Sequence, residues 1–247
     1  MKIIINGALG RMGAELCKLA DARYKGVDVA AYVDVNARTN ASEKLYSSLS
    51  EFLGECDCII DFSHHAATDS LLEYAISRKL PVVIATTGHT EDELAKIKAA
   101  AAQIPVFHSG NMSVGIALLV KLAREAALAF PDADIEIIEK HHNRKLDVPS
   151  GTALMLGEAV MEAREDSRLL VGRHENGKRD ARDVGVHSIR MGNIVGEHEV
   201  IIGTDTQIIT LKHEAQSRSL FAEGAITAAL YLCEQGAGLY NMQTMLK

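Results

Sequence analysis

Residues 2–13 read KIIINGALGRMG. The run from Lys2 to Asn6 is short, apolar and rich in isoleucine, as a buried strand is. Gly7, Ala8, Leu9, Gly10, Arg11, Met12 and Gly13 follow without a break and lead into a helical pattern carried by Leu16, Leu19 and Ala20. Strand, glycine turn and helix in that order are the setting that holds a dinucleotide. The glycines have a physical purpose there, because main-chain amides reach a pyrophosphate only where no side chain stands in the way. A tight turn with no ligand would account for the glycines alone. It would not account for the second apolar run, 29–33, which ends at Asp34, about 20 residues further on, where a carboxylate accepts from the adenosine ribose. Gly7 through Met12 and Asp34 are therefore the first candidate cofactor residues.

The alternation continues outward. Strand-type runs at 58–63, 82–85 and 105–108 are separated by helical patterns at 64–79 and 90–102. This alternation predicts a parallel sheet with right-handed crossovers. Ligands in such sheets sit at the carboxyl ends of the strands, which is where Gly7, Asp34, Phe62, Thr87 and Ser109 fall. A helix over 114–130 leads away from this half.

A second stretch carries the chemistry. Residues 136–153 read EIIEKHHNRKLDVPSGTA. An apolar strand (Ile135, Ile137, Ile138) runs into a basic knot of Lys140, His141, His142, Arg144 and Lys145, and Asp147 and a turn at Pro149 follow. Ser150 reads as the N-cap of a helix carried by Ala153, Leu154, Leu156, Ala159 and Val160, so the amides of Gly151 and Thr152 face outward. A helix start attracts anions through its free N–H groups and its dipole. Two imidazoles and an ammonium add proton donors and positive charge. The combination suits a small carboxylate that is protonated during reaction. A solvated basic loop beside an ordinary capped helix is the competing reading of the same residues.

The spacing E-x-x-E-x-H-H-x-x-K-x-D-x-P-S-G-T-A resembles the signature of the dihydrodipicolinate reductase family. Thr86-Thr87-Gly88 is similar to that family's G-T-T-G turn, and Asn111-Met112-Ser113-Val114-Gly115 to its N-F-S-x-G segment; Ala85 stands in place of a glycine and Met112 in place of an aromatic residue. The resemblance implies an α/β chain with an N-terminal Rossmann-like parallel sheet and a smaller α+β domain, built on a mixed sheet, for substrate binding and oligomerisation. The expected division is 1–112 with 219–247 against 113–218. It implies NADH and/or NADPH as cofactor, with Ala85, Thr86, Thr87, Ser109, Gly110, Asn111 and Met112 joining the cofactor contacts. His141 is then the proton donor and Lys145 a second acid. His142, Ser150, Gly151, Thr152 and Thr87 are the contacts to a small dicarboxylate. The implied reaction is reduction of 4-hydroxy-tetrahydrodipicolinate to tetrahydrodipicolinate, in lysine and diaminopimelate biosynthesis. Asp34 favours NADH, since a carboxylate repels the 2′-phosphate of NADPH, while Arg11 and Arg38 offset that repulsion. Family members are commonly homotetramers joined through the second domain.

The rest of the second half fits the smaller domain. A charged connection at 178–183 reads as a mobile loop. β-type runs at 186–191, 197–203 and 207–213 follow, and a helix over 219–234 is long enough to dock back on the first domain. His187, His198 and His213 read as sheet-face or interface residues rather than catalytic ones.

Composition sets the limits. A chain of 247 residues, 47% hydrophobic and 24% charged, is an ordinary globular profile. Its net charge of −7 gives no support to a nucleic-acid partner, and its positive charge is local. No apolar run approaches the roughly 18 residues of a membrane span. The N-terminus reads as a strand and not a signal peptide. The four cysteines (Cys17, Cys56, Cys58, Cys233) show no metal or redox spacing and fit a reducing cytoplasm; no metal site is expected. Two other classes stay open at this level. One is a different nicotinamide-dependent oxidoreductase acting on a small carboxylate, which would share the first half but not the His-His-x-x-Lys stretch. The other is a non-catalytic dinucleotide sensor, which has no use for proton donors beside an anion site.

Overall fold

The computed structural model describes residues 1–246. The chain forms two compact units, Met1–Ser113 completed by residues from Arg218 onward, and Val114–Ser217.

The first unit opens with β1 (Lys2–Asn6), α1 (Arg11–Asp21) and β2 (Asp28–Val33). There follow β3 (Leu45–Tyr46), β4 (Cys58–Asp61), α2 (Thr68–Arg78), β5 (Val82–Ile84), α3 (Glu91–Ala100) and β6 (Pro105–His108). Helix α1 starts at Arg11, inside the glycine turn, with Gly10 as its N-cap and no side-chain cap. Helix α2 starts at Thr68, after a 3₁₀ turn at His65–Ala67, and not at His64 as its periodicity predicts. Helix α3 is framed by a capping box, Thr90 with Glu93. Strands β4 and β5 are buried at every residue, as expected of a parallel sheet covered on both faces.

The second unit contains α4 (Val114–Ala129), β7 (Asp134–His141), α5 (Gly151–Ala163), β8 (Arg168–Val171), β9 (Asp183–Arg190), β10 (Gly196–Gly203) and β11 (Ile208–Ala215). Its five-stranded sheet runs β11-β10-β7-β9-β8. The pairs β7–β9 and β8–β9 are parallel; β10 is antiparallel to both β7 and β11. The sheet is therefore mixed, and β8 is a strand that the periodicity did not reveal. Ile135, Ile137, Val184, Val186, Val200 and Ile202 form its buried face against α4 and α5. Arg179 ties the 178–183 connection to β7: Nε meets Glu136 at 3.1 Å, Nη1 meets Asp134 at 2.7 Å, and Nη2 donates to the carbonyl of Ile135 at 3.2 Å.

The chain then returns to the first unit with α6 (Ser219–Leu232), β12 (Gly238–Tyr240) and α7 (Met242–Met245). Strand β12 pairs in parallel with β6 and completes a seven-stranded sheet, β12-β6-β5-β4-β1-β2-β3. On one face α2 and α3 pack over Ile4, Ile59, Val82 and Ile84. Helix α6 packs on α1 and on β4, β5 and β6. It lies close because Ala222, Gly224, Ala225, Ala228 and Ala229 are small and buried. A Cβ at Gly224 would fall 1.7 Å from the carbonyl oxygen of Met112. The order of strands reverses between β1 and β4, which opens a crevice at their carboxyl ends.

Candidate active site

In the first unit the glycine turn occupies that crevice. Gly7 has φ +81°, and a Cβ on it would lie 2.6 Å from the carbonyl oxygen of Phe62. A Cβ on Gly13 would lie 2.1 Å from the oxygen of Gly7, so the turn closes only with bare backbone at both positions. The carboxylate of Asp34 accepts from the amides of Leu9 (3.0 Å) and Asn36 (2.9 Å), which fixes the turn against the end of β2. Asn6, Gly7, Gly10, Asp34, Phe62 and His64 are among the residues that line a cleft of about 810 Å³. The exposed Gly10 and the uncapped start of α1 leave main-chain amides for an anion, so these residues fit a dinucleotide pyrophosphate.

Beneath the cleft Asp61 ends β4, almost wholly buried. It accepts from Asn6 Nδ2 (2.7 Å), Ser63 Oγ (2.6 Å) and Thr86 Oγ1 (2.6 Å). Burial raises its carboxyl above the ordinary range against the pull of those donors. Thr86 thus points inward. Ala8, Ala85 and Met112 are also buried, so what they offer a ligand is main chain. Leu9, Gly10, Arg11, Thr87 and Gly110 are exposed, and Met12 is half-buried. Ser109 and Asn111 close a tight turn, in which Ser109 Oγ donates to the carbonyl of Asn111 (2.8 Å) and Asn111 Oδ1 accepts from the amide of Ser113 (2.8 Å).

The second unit brings the basic stretch together around one carboxylate. The period of two along β7 puts Ile135, Ile137, Glu139 and His141 on the buried face. Glu139 is fully buried. It accepts from Arg190 through both guanidinium nitrogens (2.8 and 2.6 Å), from the amide of Ser150 (3.2 Å) and from Nδ1 of His141 (2.5 Å). Burial works against its charge, but the hydrogen bonds from His141 and Arg190 outweigh it and hold the carboxyl well below the usual range. His141 is itself buried. Arg190 also donates to the carbonyl of Asp147 (2.8 Å), and so anchors the loop that follows His141. That loop is further held by the amide of His142, which donates to the carbonyl of Ile194 (2.8 Å). Lys145 Nζ meets Asp147 at 2.8 Å and is about a quarter exposed.

Ser150 caps α5: its Oγ accepts from the amide of Ala153 (3.2 Å). The first-turn residues Gly151 and Thr152 follow, and a Cβ built on Gly151 meets nothing within 4 Å, so the approach to this helix start is open. His198, directly across from Glu139 on β10, lies with Nε2 3.2 Å from Ser150 Oγ and its ring 5.1 Å from that of His141. Burial first, and His141 next, push its imidazole down to about 3. Glu139 and Arg190 had no role from sequence alone, and His198, read from sequence as a sheet-face or interface residue, lies on the sheet beside Ser150 and His141. For Glu139 a signal was present, since i and i+2 on a strand share a face.

Strand order, glycine turn and the acidic residue closing β2 define a Rossmann-type dinucleotide-binding fold, with a second α+β unit carrying a basic site. Comparison with known proteins narrows this. The family described as "Dihydrodipicolinate reductase, N-terminus" matches residues 1–112, and "Dihydrodipicolinate reductase, C-terminus" matches residues 115–246. A 4-hydroxy-tetrahydrodipicolinate reductase of Caldanaerobacter subterraneus is 44% identical over 249 residues, covering 100% of this chain and 98% of the relative. One from Clostridium novyi is 40% identical, with the same coverage. Among solved structures, a dipicolinate-bound dihydrodipicolinate reductase from Paenisporosarcina sp. TG-14 superposes with a TM-score of 0.82 at 24% identity, covering 98% of this chain and 97% of that one. The chain belongs to the dihydrodipicolinate reductase family. Among the described residues no helix is long and apolar enough to cross a membrane, and no cluster of His, Cys, Asp and Glu is arranged to hold a metal ion.

Proposed function

We propose that this protein reduces 4-hydroxy-tetrahydrodipicolinate to tetrahydrodipicolinate at the expense of NADH or NADPH, as a cytoplasmic enzyme of lysine and diaminopimelate biosynthesis. The observation that carries the reading is the arrangement in the second unit: a buried imidazole, His141, held by a carboxylate, on the same strand–turn–helix as the open N-terminus of α5. A reduced nicotinamide in the first unit's cleft supplies the hydride. Hydride addition to a ring carbon leaves electron density that a proton must neutralise, and His141 is the group that gives it. The amides of Gly151 and Thr152 and the Thr152 hydroxyl receive one substrate carboxylate, while Ser150, buried with its hydroxyl engaged by the Ala153 amide and His198, holds the helix start in place. His142 and Lys145 receive the other, and the Lys145 ammonium stabilises negative charge that grows in the transition state. Both carboxylates need such partners, because burying them unpaired would be prohibitive.

A coupled assay tests this. The cyclic adduct of aspartate semialdehyde and pyruvate is generated in place and loss of nicotinamide absorbance is followed. The expected result is stoichiometric oxidation with either cofactor, NADH at least as good as NADPH because Asp34 closes β2. No turnover with this substrate would overturn the reading. A kcat/KM for NADPH about tenfold above that for NADH would overturn only the reading of Asp34.

A further inference from the structure

Nδ1 of His141 lies 2.5 Å from an oxygen of Glu139, a residue with no exposed surface. An ionised carboxylate only accepts, so Nδ1 keeps its hydrogen. The other ring nitrogen, Nε2, makes no hydrogen bond to protein among the described residues. It faces Gly196 on β10, where a Cβ would stand 3.0 Å away. Glu139 is in turn clamped by both arms of Arg190 and by the amide of Ser150, the N-cap of α5. One carboxylate therefore ties together the proton donor, the strand β9 and the start of the anion-binding helix.

We infer that Glu139 is the positioning residue of the site: it fixes the tautomer and angle of the His141 ring so that Nε2 alone exchanges a proton, and Gly196 keeps the edge at Nε2 free. This rests on the proton-donor reading of His141. The donor form is the imidazolium, which carries a hydrogen on each ring nitrogen. When Nε2 gives its proton to the substrate carbon, the ring is left as the Nδ1–H tautomer, the one Glu139 already holds, and Nε2 takes its next proton from solvent water. No rotation is required before the next turnover. Arg190 keeps the carboxylate ionised and aimed, and a lone buried charge in this position would otherwise be costly. A purely architectural ion pair would join β7 to β9 equally well, but it would not need the third bond, to Nδ1.

The test compares wild type with Glu139→Gln, Glu139→Asp and Gly196→Ala. Ring nitrogens of ¹⁵N-histidine are followed by NMR in the free protein, and kcat, KM and NADH affinity are measured alongside. In Glu139→Gln the amide can donate as well as accept, so the His141 signals are expected to move from a single Nδ1–H tautomer to a mixture. Its kcat should fall about 10- to 100-fold, less than the loss on removing a catalytic acid outright, with KM and NADH affinity near wild type. Gly196→Ala should lower kcat while leaving the Nδ1–H signal in place. If Glu139→Gln does not fold, Glu139→Asp keeps a charge opposite Arg190 and withdraws it from Nδ1 by one methylene, and the same kcat loss is expected. Unchanged His141 signals, or a full kcat in whichever Glu139 variant folds, would overturn the assignment. A wild-type protein without turnover would instead count against the proposed reaction, and the ring signals would still decide the role of Glu139.

Discussion

Replacing His141 by Gln keeps a polar side chain of similar reach and removes the imidazole proposed to donate the proton. The expected outcome is a kcat lower by about 10²–10⁴-fold. NADH affinity should hold, because the glycine turn and Asp34 belong to the other unit. Lys145→Met should lower turnover and raise KM together, since the ammonium that Asp147 holds at 2.8 Å is lost to substrate and transition state alike. Steady-state kinetics with calorimetric titration of NADH check both, and a His141→Gln enzyme with near-normal kcat would remove that residue from the chemistry. His198 gives a prediction on stability. The unfolded chain protonates this imidazole near about 6.5, whereas the folded protein holds it down to about 3. Between these values the unfolded state binds more protons, so stability is lost as pH falls, by up to about 1.4 kcal/mol per pH unit. Glu139, depressed in the fold, adds in the same direction below the ordinary carboxylate range, while Asp61, raised by burial, opposes it. Tm measured from pH 7 to pH 4, roughly the upper part of that window, should fall, and fall less steeply in His198→Asn. Equal slopes would show that His198 is not the group responsible.

Two glycines separate the roles of two helix starts. At Gly13 a Cβ collides with backbone, the oxygen of Gly7 at 2.1 Å, so Gly13→Ala must shift α1 against β1. It should cost about 1–3 kcal/mol of stability and abolish NADH binding. At Gly151 a Cβ meets nothing, so Gly151→Leu should leave Tm unchanged and raise the substrate KM by covering the start of α5. Melting curves read beside the two affinities decide this, and a Gly151→Leu protein with normal KM would take the anion site away from α5. These elements were legible because their signals are local: glycines in a turn, Ser150 before an apolar period, alternation along β7. Strands β3, β8 and β12 are short and have no fully buried residue, so they lack the buried apolar run that marked the equally short β4, β5 and β6. Glu139 reads locally as a polar break in an apolar strand. Its meaning comes from Arg190, 51 residues away, and from His198, which the sheet sets opposite it. Sequence spacing carries no trace of such a meeting until the register of β9 and β10 against β7 is known.

For the molecule as a whole, assembly is the property the chain states least directly. The second unit's sheet ends at β11 and β8, and on the edge strand β11 Ile208 is 72% exposed. Unpaired strand edges and half-covered apolar residues favour self-association through closed symmetry. A homotetramer is expected, and light scattering at micromolar concentration checks it; a monomer would sink the expectation. A net charge of −7 over the chain favours solubility of such an assembly.

The second unit is spliced into the first between Ser113 and Arg218, and that has a consequence for synthesis. A ribosome making this chain delivers β1 to β6 early and α6 and β12 last. For the roughly 5–20 s that the intervening stretch takes at ordinary elongation rates, the nascent nucleotide-binding sheet has an unpaired edge at β6 and lacks the helix that packs on β4, β5 and β6. The tail is thus the closing piece of the first-made domain. A premature stop just before Ser219 would release a substrate unit with all its strands beside an unfinished sheet, a product for chaperones and proteases rather than a slightly shortened enzyme.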